Sequence, residues 1–431
     1  MARPAPTAPL PPVAAYLGID WADAHHDLAL QAADAAAVEM GRVAHTPNAL
    51  AAWLATLGAR FGGRPVAVAL ETSRGPLVHA LLEVPWLILY PINPRSLRRF
   101  REAFTPSGAK DDGPDARLLL EFLVKHRERL TAWRPDDAAT RHLRALVEQR
   151  RTAVELRSQL VLQLQATLKG YFPQALTWAG ADLARPLALA FLTRWPTLAA
   201  LQRARPATVR RFYTSHGCRR AARLDARLAE MATALPLTHD AAIIAPSVFG
   251  VQLLVGQLEA LGVSLATLDD AIAAAFAAHP EAPLFQALPG AGAALAPRLL
   301  VAFGTDRRRY ATAADLQQET GIAPVTLRSG QTCVVRWRWA VPTFLRQTFH
   351  EFAHHSVLHV PWARAFYHAQ RARGKSHHVA VRALAFKWIR VLWRCWQDRT
   401  PYDDARYTRA LASRGSPIAA HLDCAAMEAV A

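Results

Sequence analysis

Cysteine is scarce in this 431-residue chain, and its four residues, Cys218, Cys333, Cys395 and Cys424, stand far apart. They form no C-x-x-C pair, which argues against a zinc ribbon or a disulfide framework and fits a reducing cytoplasm. Acids are also in the minority: 34 Asp and Glu face 51 Lys and Arg, giving a formal charge of +17 and a pI near 10.6. So positive a surface points to a polyanionic partner, nucleic acid before membrane. No clean apolar run reaches membrane-spanning length. The least charged stretch, "AAIIAPSVFGVQLLVGQ" at 241–257, is broken by Pro246, Gly250, Gln252 and Gly256, which predicts a buried helical segment rather than a span. The opening "MARPAPTAPLPPVAA" lacks the apolar core of a signal peptide and reads as a disordered Pro/Ala lead over residues 1–15. With 52% hydrophobic residues, the chain can nevertheless bury a large core and has the length for two or three domains.

From Tyr16 to about residue 135 the pattern is α/β. "YLGID", "HDLALQAA", "RPVAVALE" and "WLILYPIN" have the length and apolar content of strands, and "PNALAAWLATLGARF", "RGPLVHALLE", "PRSLRRFREAF" and "DARLLLEFLVKHRERL" read as helices between and after them. A small mixed sheet with helices packed on it is expected. Residues 136–283 read as all-α. Asp136 to Tyr171 predicts one long amphipathic helix, and a second helical region runs to about His279, together forming either an antiparallel coiled arm or dimerisation element or an ordinary helical bundle. Residues 284–405 are helical, aromatic and very basic, with Trp337, Trp339, Trp362, Trp388, Trp393 and Trp396 among Arg and His, and 406–431 form a tail. Aromatics so placed either stack on nucleic acid or fill a core.

Against the basic background, "SGAKDDGPDA" at 107–116 gathers three acids. Asp112 and Asp115 suit an N-cap and a capping box around Pro114, and carboxylates three apart at a helix start also share a face on which a divalent cation could sit. Two further acids close predicted strands: Asp20 ends "YLGID" and Glu71 ends "VALE". Strand ends are where side chains leave the core edge of an α/β sheet, so four carboxylates from three elements can converge. Their mutual repulsion is relieved by metal, and two Mg2+ ions, with Mn2+ as substitute, match hard oxygen ligands and supply phosphoryl-transfer chemistry.

This strand, strand, helix order resembles the RNase H-like, RuvC-type nuclease fold. More narrowly, "YLGID", "VALETS", "INP" and Lys110-x-Asp112-x-x-Asp115-Ala116 resemble the DEDD transposases of bacterial insertion sequences, the family that includes the Piv-type DNA invertases. The resemblance assigns metal binding and catalysis to Asp20, Glu71, Asp112 and Asp115, with Lys110 beside them, and leaves Asp111 outside. An actin-like sugar kinase would want Asp-x-Gly and a hydroxyl residue after "GID"; Trp21, Ala22 and Asp23 stand there instead.

Two motifs lie in the C-terminal part. "LPGAGAALAPRLLVAFG" at 288–304 has the Pro-Gly-x-Gly turn of a helix-hairpin-helix, whose Gly290 and Gly292 would let backbone amides approach a phosphate. "TLRSGQTCVVRWRW" sets Ser329-Gly330 among Arg328, Arg336, Arg338 and, further on, Arg346, a turn by residue type whose arginines could hold a phosphate. This segment resembles the second conserved region of the same transposases. The resemblance implies that Ser329 attacks DNA and holds it as a phosphoserine ester, in the subgroup typified by the "eleven-eleven" elements. It also implies a cytoplasmic, nucleoid-associated protein acting on donor and target DNA, guided by a structured RNA. The two chemistries imply a homodimer or homotetramer assembled through the long helices. A metal-only nuclease without the serine step is the alternative. From a different class, "HEFAH" places His350, Glu351 and His354 in zinc-peptidase spacing, but no acid follows before Asp398 to complete the ligand set.

Overall fold

The computed structural model describes residues 11–72, 75–104, 112–218, 220–339 and 341–418, with the backbone alone at 104 and 112–114. The chain divides into two compact units, Met1–Pro135 and Asp136–Ala431.

The first unit is a mixed α/β sheet. Strands β1 (Ala15–Asp20), β2 (His25–Ala32) and β3 (Glu39–Ala44) form an antiparallel meander, helix α1 (Pro47–Phe61) crosses, and β4 (Val66–Leu70) returns parallel to β1. Helix α2 (Pro76–Leu82) leads to β5 (Leu87–Pro91), parallel to β4, so the strand order is β3-β2-β1-β4-β5. Helices α3 (Pro94–Phe104) and α4 (Asp112–His126) follow. β4 reads "VAVAL" and is buried throughout, as a strand covered on both faces must be. One face carries Leu17, Ile19, Val66, Val68 and Leu70 against Leu57 and Phe61 of α1 and Val78 and Leu81 of α2. The other face is lined by small residues, Gly18, Ala29, Ala67 and Ala69, and α4 presses onto it through Ala116, Leu119, Leu120 and Leu123. Residues 13–15, expected in the disordered lead, are packed instead: the Ala14 amide donates to the Pro65 carbonyl at 2.7 Å, and Ala15 opens β1, while Pro11 and Pro12 are exposed.

The second unit is built on two long helices, α5 (Ala138–Tyr171) and, after five short ones, α11 (Ala241–Ala277). The short helices are α6 (Ala175–Trp178), α7 (Pro186–Arg194), α8 (Leu198–Gln202), α9 (Pro206–Ser215) and α10 (Ala221–Thr233). The end of α5 and the start of α11 share one core with them around Phe191, Phe212 and Tyr213. The start of α5 and the end of α11 share another, so the two long helices run antiparallel. That second core holds α12 (Ala282–Gln286), α13 (Gly292–Phe303), α14 (Ala313–Glu319), α15 (Thr343–His359), α16 (Pro361–Ala372), α17 (His377–Asp398) and α18 (Asp404–Ser413). Between α14 and α15 a ribbon of β6 (Val325–Ser329) and β7 (Thr332–Arg336) stands out.

One expectation is met in part here, and one open alternative is decided for three residues. Residues 241–257 are helical as expected and α11 runs unbroken through Pro246, but only one side of the segment is buried, through Val251, Leu254 and Val255, while Ile243, Leu253 and Phe249, at 72%, are exposed. Pro246 lies early in the helix, and the Ala242 carbonyl it deprives of a donor is on an exposed stretch. By length and composition alone, α11 could cross a membrane. Of the C-terminal tryptophans, Trp362, Trp388 and Trp396 are core, with their indole N–H groups donated to Tyr402 Oη, Ser356 Oγ and the Gly304 carbonyl at 2.8 Å each.

Candidate active site

The paired strands fix the positions of the first acids. Ile19 pairs with Leu70 in the parallel β1–β4 register, so the next residues along, Asp20 and Glu71, leave the sheet side by side on strands about 4.8 Å apart. Side chains alternate along a strand, so Asp20 lies on the face of Gly18, and Glu71 on the face of Ala67 and Ala69. That is the face α4 covers. α4 runs back across the sheet, because Arg127, just beyond its end, donates to the carbonyl of Pro11, which precedes β1, at 2.7 Å. Its first turn therefore lies at the carboxyl ends of β1 and β4, the edge where α/β sheets place ligands. Asp115 sits in that turn, one turn before Leu119, and is 8% exposed. Its carboxylate pairs with the Arg101 guanidinium from α3. The Asp112 side chain and all of Lys110 and Asp111 fall outside the described residues.

Two groups beside Asp20 were not legible in the sequence. Asp27 lies directly opposite Asp20 in the β1–β2 register, on the same face, and its Oδ1 accepts from Arg42 Nε at 2.8 Å. Like charges opposite one another across a ladder are unfavourable, and Arg42 offsets part of that repulsion. His26 is fully buried and braces the turn after Asp20. Its Nδ1 accepts from the Ala22 amide at 3.4 Å, which leaves Nε2–H to donate to His45 Nδ1 at 2.9 Å. Burial, then the neighbouring His45 and His25, hold its pKa below the ordinary histidine value.

The donor chemistry suits a hard divalent cation, because the acids offer oxygen ligands only. Among the described residues, however, no three His, Cys, Asp or Glu side chains group closely enough to hold a metal ion. Asp20 and Glu71 form the side-by-side pair, and Asp115 is engaged by Arg101.

In the second unit, Ser329 ends β6 and pairs with Thr332 across the two-residue turn Gly330-Gln331. Gly330 has φ +57°, the left-handed conformation that a Gly-first hairpin turn requires. Ser329, Arg328 and Arg336 are exposed, while Arg338 and Arg346 are half-buried beside Trp337. Among the described residues, no side chain hydrogen-bonds the Ser329 hydroxyl. Gly290 and Gly292 both have positive φ at the α12–α13 turn. A Cβ at Gly290 would come within 2.8 Å of the His359 ring, so close packing on α15 accounts for that glycine, whereas Gly292 opens to free space. In "HEFAH", Glu351 is taken by Arg298 of α13, and the rings of His350 and His354 lie against His378 and His377 of α17.

Known proteins match this chain over nearly its whole length. A family model for DEDD transposases of the IS110 type matches residues 17–173, and that of the transposase IS116/IS110/IS902 family matches 282–368. The "Mini-circle putative transposase for IS117" of Streptomyces coelicolor is 31% identical over 91% of this chain and 96% of its own length. The chain belongs to the IS110 family of transposases. Two more relatives are proteins of the insertion elements IS900 of Mycobacterium paratuberculosis, 28% identical over 92% of this chain and 98% of that protein, and IS110 of Streptomyces coelicolor, 27% identical over 91% and 96%. The transposase is therefore an enzyme acting on DNA, and membership of a DEDD family implies use of a divalent metal. Its first matched segment contains all four acids, and its second contains Gly290, Gly292, Ser329 and the nearby arginines.

Proposed function

We propose that this transposase cuts and rejoins the DNA of an insertion sequence with two groups of residues, the acids at the strand ends and Ser329. The observation that carries the first is the emergence of Asp20 and Glu71 side by side under the helix that bears Asp115. Asp20, Glu71, Asp112 and Asp115 would hold Mg2+, which when bound offsets charge on a phosphate and lowers the pKa of an attacking oxygen. The strand order, an antiparallel meander joined to parallel β4 and β5, supports an RNase H-like, RuvC-type fold for this unit. Arg101 pairs with Asp115 and orients it, and Arg42 does the same for Asp27 next to Asp20.

Ser329 would attack a DNA phosphorus through Oγ, forming the serine–phosphate ester as the bond to the leaving sugar oxygen breaks and the hydroxyl proton passes to a base. Its place at the tip of a projecting ribbon supports this reading, since a strand of DNA can reach it without rearrangement. The family resemblance implies a guide RNA, and the +17 charge supports holding two nucleic acids. Exposed apolar side chains on the long helices, Leu162 at 64% and Val263 at 70%, support a dimer formed there.

A metal-only nuclease is the second reading, favoured by the lack of a base bonded to the Ser329 hydroxyl among the described residues. Cleavage of DNA carrying the element's ends separates the two. Asp20→Asn and Glu71→Gln should each lower cleavage by about a hundredfold or more, and chelation should abolish it until Mg2+ is restored. Ser329→Ala should abolish it as well; cleavage that survives Ser329→Ala would select the metal-only reading.

A further inference from the structure

At the foot of the ribbon, one side chain is crowded by cations, and among the described residues no acid forms an ion pair with them. Trp337 directly follows β7. The Arg382 guanidinium from α17 stacks on its ring, 3.2 Å from the centroid, and the Arg346 guanidinium from α15 lies 5.6 Å from the same centroid. Arg338 is the next residue along. Four buried donors here, Trp337 Nε1, Arg338 Nε, Arg346 Nη1 and Arg382 Nε, have no hydrogen-bond partner among the described residues. Several other half-buried arginines of this unit are neutralised: Arg144 and Arg309 by Asp136, Arg307 by Glu281, and Arg298 by Glu351. Burial, and then the charge of Arg346, push the Arg382 pKa down.

Buried donors are nearly always satisfied, and like charges brought together out of water repel. A site that leaves these donors open and sets two cations on one indole ring, with a third arginine next in sequence, is organised for an anion that arrives from outside. We infer that Arg338, Arg346, Arg382 and the Trp337 indole form a pocket for one backbone phosphate of the DNA strand that Ser329 attacks.

Three features favour a nucleic-acid phosphate over a small free anion. Trp339 packs beside Trp337, with centroids 5.9 Å apart, and is 76% exposed, which offers a face to a sugar or base next to the phosphate. The cross-strand pairs put Ser329, Thr332 and Arg336 on one face of the ribbon, so a strand bound at the serine meets Arg336 before Trp337. Five residues of extended chain separate Thr332 from Trp337, about 17 Å, or roughly five nucleotides of axial rise along one DNA strand. The pocket would thus hold register while the serine reacts.

The inference rests on the proposal that DNA is bound at Ser329, and its test is chosen to be independent of the serine chemistry. Binding of the full-length transposase to a fluorescent duplex DNA, and to an RNA of the same length and sequence, is measured across a salt series for the wild type, Arg346→Gln, Arg382→Gln, Trp337→Phe and Ser329→Ala. Each Arg→Gln variant should weaken DNA binding and flatten the slope of log K against log salt by about one. Trp337→Phe, which removes the N–H donor and keeps a smaller aromatic ring, should weaken binding severalfold at unchanged slope. Melting of the free protein should be unchanged or raised in the arginine variants, because a repulsion is relieved. DNA slopes that stay at the wild-type value overturn the pocket, whatever the melting temperatures do, and a slope change confined to RNA overturns its assignment to DNA. Ser329→Ala should keep the wild-type slope, so a failure of the serine mechanism registers in cleavage and leaves this measurement intact.

Discussion

Gly18 is the residue through which the sheet and the acid-bearing helix meet, and Gly18→Ala tests that arrangement with a single methyl group. A Cβ at Gly18 would lie 2.7 Å from the Leu120 backbone nitrogen and nearer still to the Ala116 carbonyl oxygen. Ordinary contact begins near 3.4 Å, so α4 must withdraw by about 0.7 Å or more. Neither obstacle is a side chain that can rotate away. Overpacking of this kind costs about 1–3 kcal/mol, of which alanine's better fit to an extended strand returns only about 0.5–1 kcal/mol. For a unit of about 120 residues, a net loss near 1–2 kcal/mol lowers the melting temperature by about 4–10 °C. The catalytic consequence is larger. The same withdrawal carries Asp112 and Asp115 away from Asp20 and Glu71, and a misplacement approaching 1 Å lowers a rate by about a hundredfold. Gly41→Ala on β3 is the control, because its nearest neighbour would be Leu28 Cβ at 3.9 Å; it should melt and cleave like the wild type. Thermal melting and DNA cleavage, measured together, check both. Wild-type melting and cleavage in Gly18→Ala would refute the close approach of α4 to β1, and with it the proposed convergence of the acids.

Other outcomes follow from the same structure. His26 has its pKa lowered in the fold, so the unfolded chain binds the extra proton first as pH falls through the ordinary value near 6.5. The stability His26 contributes is full above that value and declines below it, and pH-dependent melting of His26→Gln should be flatter between pH 7 and 5. Asp136 is 7% exposed and joins Arg144 at 3.0 Å and Arg309 at 2.8 Å. Asp136→Ala would strand both cations, and urea unfolding should show a loss of about 3 kcal/mol. An unchanged midpoint would mean that solvent screens the pair. Leu162→Glu with Val263→Glu should shift sedimentation from dimer to monomer if the long helices assemble through their exposed apolar side chains.

The sequence revealed those elements that bury something. β1, β2, β4 and β5 announce themselves as apolar runs, and α5 by its spacing, because each faces a core. β3 "EMGRVA" escaped notice since only Val43 is buried in it, and β6–β7 escaped because most of that ribbon faces solvent and shows no inside and outside to alternate. The end positions of Asp20 and Glu71 could be read from the strands; that they share a face depends on register, which only pairing defines. Asp27 becomes a neighbour of Asp20 by the same pairing. Trp337 and Arg382 lie 45 residues apart and meet only because α17 folds back along α15, so neither composition nor spacing could have joined them. Pro246 reads as interrupting the apolar run at 241–257, yet α11 continues through it, with the Ala242 carbonyl left without its helical donor on an exposed stretch.

The central claim is that one serine of this transposase becomes covalently joined to DNA under the control of the acids. Incubation with end-labelled DNA bearing the element's junction and Mg2+, followed by denaturing electrophoresis and peptide mapping of the labelled protein, tests it most directly. A phosphoserine ester on the peptide containing Ser329, absent in Ser329→Ala and in Asp20→Asn, is the predicted result. DNA cut to completion with no label on the protein, or with label on any other residue, would contradict it.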